Sequence, residues 1–371
     1  MSTRPPPVPD SVGGHLAGHG NAVTALRLGL AGLVVLGHAY EVGGFGFDPL
    51  RRAAGVTSGE IGVNGFFALS GYLVAQSWRR SPGPAEYLRR RVRRIFPAFW
   101  ACLALTGLGL FPLLWVHRHG GSWAPAALSR PFLSYAARNS LLWIRQGSVA
   151  DLFAGQPAQG VANGSLWSLF PEFLCYLGVA AAGLAGARMA GRRTLAAAAV
   201  VALAALQAAG PWILPRLAPA AQPHAWYLWR VATQASFFGA GALAWLHRGR
   251  LRVGAGPALG AAAALAAAAA AGLYAWAAPW LLTFLLLQLA SLLPGKSLER
   301  VGDYSYGLYL YHYPLQQMLL YLGWKPANAA VFFAVSLGLA APVAILSWHG
   351  IERPALGRKQ PLARPLPCAS S

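Results

Sequence analysis

The first apolar run of the chain, NAVTALRLGLAGLVVLGHAYE, carries Thr24, Arg27, His38 and Glu41. Ionisable side chains cost roughly 2.5–3.5 kcal/mol each near the centre of a bilayer, so these residues are functional candidates. Arg27 and His38 are eleven residues apart, close to three helical turns. They therefore share one face of a helix, about 16 Å apart along its axis. An imidazole titrates near neutral pH and suits proton transfer. A guanidinium suits bidentate binding of phosphate. Arg91 and Arg94, in EYLRRRVRRIFP, repeat that second chemistry one turn apart, and a phosphate-bearing cofactor would fit them.

Two further polar faces follow. Ser165, Ser168 and Glu172 in NGSLWSLFPEFLCYL fall at helical spacing, as do Ser305, Tyr309, His312 and Gln316 in DYSYGLYLYHYPLQQ. Pro171 and Pro314 are placed to kink their helices and free carbonyl groups. Asn64 and Ser70-Gly71 in GVNGFFALSGYL complete the set. Ser70 lies in no Gly-x-Ser-x-Gly elbow and does not read as a nucleophile. Helix packing competes with function at each of these places, because small residues allow close helix contact and a buried histidine can simply bond a neighbouring carbonyl.

The elements that must hold these residues are membrane helices. Of the 371 residues, 56% are hydrophobic and only 11% charged, against about 25% charged in an ordinary soluble domain. This composition excludes a soluble enzyme, a disordered chain and a disulfide-stapled domain. Ten segments are long and apolar enough to read as spans of about 20 residues. They lie near 22–41, 60–78, 95–116, 165–187, 194–214, 227–247, 255–272, 273–293, 303–323 and 328–349, and 131–145 reads as a short amphipathic interfacial or re-entrant piece. The net charge of +20 comes from Lys and Arg in short clusters between apolar runs, which argues against a nucleic-acid partner. Seven arginines stand in 79–94 alone. With both termini in the cytoplasm, every inner loop is basic, as the positive-inside rule requires. The fold expected is therefore all-α and polytopic. Residues 1–20 read as a disordered tail, 21–355 as one transmembrane domain and 356–371 as a cytoplasmic tail. Cys102, Cys175 and Cys368 match no metal or thiol-nucleophile spacing, and no metal is expected.

Sorted by depth, Arg27, Arg91 and Arg94 lie on the cytoplasmic half, and His38, Asn64, Glu172 and His312 on the outer half. This pattern suggests a path through the bundle, with an anion-binding mouth at one end and an acid/base cluster at the other.

The blocks LRLGLAGLVVLGH, GVNGFFALSGYL, RRVRRIFPAFW, SLWSLFPEF, SYGLYLYHYP and IERP, in this order over residues 22–355, resemble the successive motifs of the acyltransferase-3 family. The resemblance implies an integral membrane O-acyltransferase of the bacterial cytoplasmic membrane. Such an enzyme moves an acyl group, usually acetyl, from cytoplasmic acyl-CoA to a hydroxyl of a surface or exported carbohydrate. Arg27 and His38 match the family's first-helix pair, and Arg91 and Arg94 its Arg-x-x-Arg. Ser70-Gly71, Glu172 and His312 match its Ser-Gly, Trp-Ser-Leu-x-x-Glu and Tyr-Leu-x-His-x-Pro motifs. Thr24 and Asn64 stand where the family usually has Asp.

On this basis His38 is expected to act as general base, with Glu41 or Glu172 fixing its tautomer. Asn64, Ser70 or His312 would donate to the oxyanion, and Tyr309 would line the substrate site. Arg91 and Arg94, helped by Arg27, would hold the acetyl-CoA phosphates. A carrier or glycan exporter without chemistry, a glycan polymerase, and a transferase acting on a small antibiotic-like acceptor are the competing readings. Thioester consumption separates the first two from acyl transfer.

Overall fold

The computed structural model describes residues 10–18, 20–185, 192–295 and 301–357. The expected tail 356–371 and its Cys368 lie almost wholly outside them. Helices occupy all ten expected spans: α1 (Val23–Gly43), α2 (Ser58–Arg80), α3 (Pro84–Ala104), α4 (Leu169–Ala185), α5 (Arg192–Ile213), α6 (Gln222–Leu246), α7 (Ala255–Ala270), α8 (Tyr274–Leu292), α9 (Ser305–Tyr321) and α10 (Ala329–Ser347). Through a π-helical turn at Leu105–Leu110, α3 runs on into Phe111–His119. Among the described residues there is no named β-strand.

Among the described residues, six stretches are long and apolar enough to cross a membrane: Val23–Gly43, Pro84–His119, Leu166–Ala185, Ala197–Arg216, Tyr274–Leu292 and Ala329–Leu356. The protein is thus an all-helical multi-pass membrane protein. In α2, Glu60, Asn64, Ser70 and Gln76 lower the hydropathy; α7 and α9 are shorter, at 16 and 17 residues.

Local chemistry sets the helix ends that carry site residues. Thr57 caps α2 through Glu60 N, and the Glu60 carboxylate accepts from Thr57 N in return, a reciprocal box that fixes both residues. Asp48 accepts from Leu50 N at 2.9 Å and from Ser58 N at 2.7 Å, tying the 44–57 connection to α2. The α2–α6 contact has no room for side chains. A Cβ on Gly71 would lie 1.9 Å from the Phe238 carbonyl oxygen, and one on Gly241 2.0 Å from that of Ala68. The Gly of the Ser-Gly pair therefore serves close helix packing.

Two expectations are corrected. Residues 10–18, within the tail expected to be disordered, dock on the loop after α6: Val12 N donates to Leu251 O, Gly13 N to Arg248 O, and Val12 is fully buried. The 131–145 piece is short, as expected: its helix runs from Arg130 to Asn139, and the Asn139 side chain then turns the chain back by accepting from Arg145 N and Gln146 N. Pro171 kinks nothing, since it sits in the first turn of α4, where its missing N–H has no intrahelical partner to lose. Pro314 does free a carbonyl: Leu310 O, four residues back, accepts instead from Asn163 Nδ2 at 2.9 Å and Cys102 Sγ at 3.5 Å.

Candidate active site

Three cavities follow one another along the inner face of α1. The first, of about 350 Å³, lies at its N-terminal end and is lined by Thr24, Arg27, Ser70, Arg91, Arg94 and Asp303, among others. The third, of about 540 Å³, lies at the C-terminal end of α1 and reaches His38, Glu41, Glu60, Asn64, Trp167 and Arg230. Between them is a neck of about 40 Å³, walled by Arg27, Val63, Phe66, Ser168, Glu172 and Tyr309. Arg27 and Glu172 belong to both the first cavity and the neck, and Val63 and Tyr309 to both the neck and the third cavity. Three cavities with shared wall residues thus lie along the expected path.

At the His38 end, hydrogen-bond geometry dictates a tautomer. His312 Nδ1 is 2.8 Å from Leu308 O, and a carbonyl only accepts, so His312 carries its proton on Nδ1. Its Nε2 is then a bare acceptor, 2.8 Å from His38 Nδ1. His38 Nδ1 must donate, and in the neutral pair His38 Nε2 is left with a free lone pair. The two rings stack at 5.0 Å between centroids, and Tyr313 meets His38 edge-on at 4.9 Å. His312 is fully buried, whereas His38 lines the third cavity.

The same bookkeeping corrects several expected roles. His312, not Glu41 or Glu172, orients His38, and its Nε2 has no proton to give an oxyanion. Glu172 was expected beside His38. It lies toward the Arg27 end instead, where its Oε1 accepts from Ser70 Oγ at 3.1 Å and Tyr176 OH at 2.5 Å. Ser70 therefore sits in the first cavity and its proton is committed to Glu172. Tyr309 OH donates to Ser165 O at 2.8 Å and accepts from Ser168 Oγ at 2.6 Å, so its proton is committed too. Asn64 does line the third cavity, with its Oδ1 accepting from Gln234 Nε2 at 3.2 Å.

At the other end, the three arginines converge but are not equivalent. Asp303 Oδ2 accepts from Arg27 Nε at 2.9 Å and from Arg94 at 2.7 Å, and Glu352 stands 3.7 Å from Arg94. Burial works against the Asp303 charge, but Arg27 and Arg94 overcome it and hold the carboxyl well below the usual carboxylate range. Arg91 makes no ion pair among the described residues. It reaches Ser77 Oγ at 3.3 Å and stacks over Tyr176. The pair expected to bind phosphate together thus divides into one guanidinium neutralised by carboxylates and one with no ion pair among the described residues.

Asp303 and Glu352 were missed in the sequence, although DYSYG and IERP contain them. Their pairing joins the loop before α9 to the helix after α10, and no local spacing reveals it. Arg230 was also missed. Its guanidinium stacks 3.6 Å from the Trp167 ring centroid, on the wall of the third cavity. Among the described residues no group of His, Cys, Asp and Glu could hold a metal ion.

An acyltransferase domain model matches residues 21–349. An O-acetyl transferase of Shigella phage Sf6 is 34% identical over a region covering 44% of this chain and 46% of that protein, so the match spans about half of the phage protein. Nodulation protein 10 of Rhizobium leguminosarum bv. viciae is 30% identical over 92% of this chain and 95% of its own length. No solved structure matches. The family model spans the stretch from Arg27 to His312, and together with the near-full-length relative it places the chain in the acyltransferase-3 family of membrane O-acyltransferases.

Proposed function

We propose that the protein moves an acetyl group from cytoplasmic acyl-CoA to a carbohydrate hydroxyl on the far side of a bacterial cytoplasmic membrane. The observation that carries this reading is His38, oriented by His312 with Nε2 free, at one end of a passage whose other end holds Arg91. Ten spans with both termini cytoplasmic put the arginine end inside, in keeping with the seven arginines of 79–94. Arg91 takes a phosphate of the donor, while Asp303 keeps Arg27 and Arg94 in place around it. The thioester arm runs along α1 through the neck. The roughly 16 Å between Arg27 and His38 is the length of helix it must follow.

A carbohydrate acceptor fits the third cavity. Trp226, Trp229 and Tyr274 offer flat apolar faces, and Gln207, Asn64 and Glu41 offer planar polar groups that suit sugar hydroxyls. His38 Nε2 takes the hydroxyl proton as the oxygen attacks the thioester carbonyl. The C–S bond then breaks, and the proton passes to the departing thiolate. The relative from Shigella phage Sf6 carries the name O-acetyl transferase, which supports acetyl as the group moved.

Purified protein in liposomes, given radiolabelled acetyl-CoA, tests the reading. Wild type should release CoA and His38→Ala should not, with donor binding unchanged. Turnover retained in His38→Ala contradicts the role of His38. Absence of both binding and release in folded wild type favours a carrier without acyl transfer.

A further inference from the structure

Acyl transfer through a tetrahedral intermediate needs a donor or cation for the oxyanion. Hydrogen-bond bookkeeping removes the obvious donors: Ser70 gives its proton to Glu172 in another cavity, Tyr309 gives its own to Ser165 O, and His312 gives its own to Leu308 O. Several N–H donors line the third cavity with His38, among them Asn64, Gln207, Trp167, Trp226 and Arg230, and Arg230 is the cation seated on Trp167.

Arg230 is built for this use. Its guanidinium lies 3.6 Å over the Trp167 ring, a cation–π contact that seats it on the wall of the third cavity, where His38 also lies. Among the described residues it makes no direct ion pair, although the Glu60 and Glu41 carboxylates are close enough to act on its charge. Glu60, on the same cavity wall, is already held by Thr57 N at 2.8 Å and Arg51 at 3.3 Å. Glu41 also lines the cavity and makes no ion pair among the described residues.

We infer that Arg230, seated on Trp167, is a catalytic residue that stabilises the oxyanion during acyl transfer. The inference rests on the acyl-CoA reading above. When the acceptor oxygen bonds the thioester carbon, the carbonyl π pair moves onto oxygen and Arg230 holds that charge. When the pair returns, the C–S bond breaks and the thiolate takes the proton from His38.

The assay uses water as acceptor: acetyl-CoA and purified full-length protein, with CoA thiol release followed against time. Arg230→Gln should lower kcat about 100-fold, in line with the loss of one oxyanion donor. KM for acetyl-CoA, direct acetyl-CoA binding and melting temperature should stay at wild-type values, and Arg230→Lys should recover part of kcat. Unchanged kcat in Arg230→Gln, with His38→Ala inactive, overturns the inference and leaves the acyl-CoA reading standing. A lowered melting temperature in both Arg230 variants with equal activity in the two assigns Arg230 to structure and also overturns it. Wild type that releases no CoA overturns the reading, and the inference with it.

Discussion

His38 and His312 look interchangeable in the sequence, yet their hydrogen bonds give them opposite tasks. Only His38 faces a cavity, and only His38 has a free nitrogen. Two substitutions separate the roles. His38→Ala should abolish turnover. His312→Ala should keep donor binding but lower kcat and displace its pH profile, because the proton on His38 is then free to sit on either nitrogen; a wild-type pH profile in this variant would deny the relay. The arginines divide similarly. Arg91→Ala should weaken acetyl-CoA binding with little loss of stability. Arg94→Ala leaves Asp303 and Glu352 without their shared partner and should cost about 3–5 kcal/mol, read as a fall in melting temperature. The pH dependence follows from Asp303. Its depressed folded value means that its stabilising contribution is complete above about pH 4 and fades as acid protonates the carboxylate, and Asp303→Asn should remove this acid-limb contribution.

The helices themselves were legible because apolar length is a strong signal, and all ten expected segments are helical. Their polar faces were legible in part. Spacing correctly put Ser165, Ser168 and Glu172 on one side of the chain, but it gave no depth, so Glu172 was assigned to the wrong end of the passage. The depth error has a physical source: Glu172 bonds Ser70 and Tyr176, and the partner Ser70, 102 residues away in the chain, is not visible in local spacing. The carbonyl freed by Pro314 was anticipated, but its partner Asn163, 147 residues away from Leu310 in the chain, was not. At this scale two helix contacts can be tested. Gly71→Ala drives a methyl into the Phe238 carbonyl and should cost about 1–3 kcal/mol or prevent assembly, read as loss of folded protein on size exclusion. Asn163→Leu leaves Leu310 O short of a strong donor and should lower stability by about 1–3 kcal/mol, read by thermal melting.

Over the whole molecule, the path through the bundle was the most readable feature and its interruption the least. Ordered polar blocks in successive apolar runs imply a polar interior, whereas a neck of about 40 Å³ between cavities of 350 and 540 Å³ depends on how Phe66, Ser168 and Tyr309 meet. Ion pairs between remote segments, such as Arg27 with Asp303, are also invisible to local pattern. The account makes one demand of the molecule as a whole: donor binds at the arginine end, and the acyl group leaves at the His38 end. Inverted membrane vesicles given external radiolabelled acetyl-CoA measure this directly. The account predicts free CoA outside and labelled acetate or acetylated glycan within the lumen, both lost in His38→Ala. Label and CoA appearing together on the outer side, with an empty lumen, would contradict it.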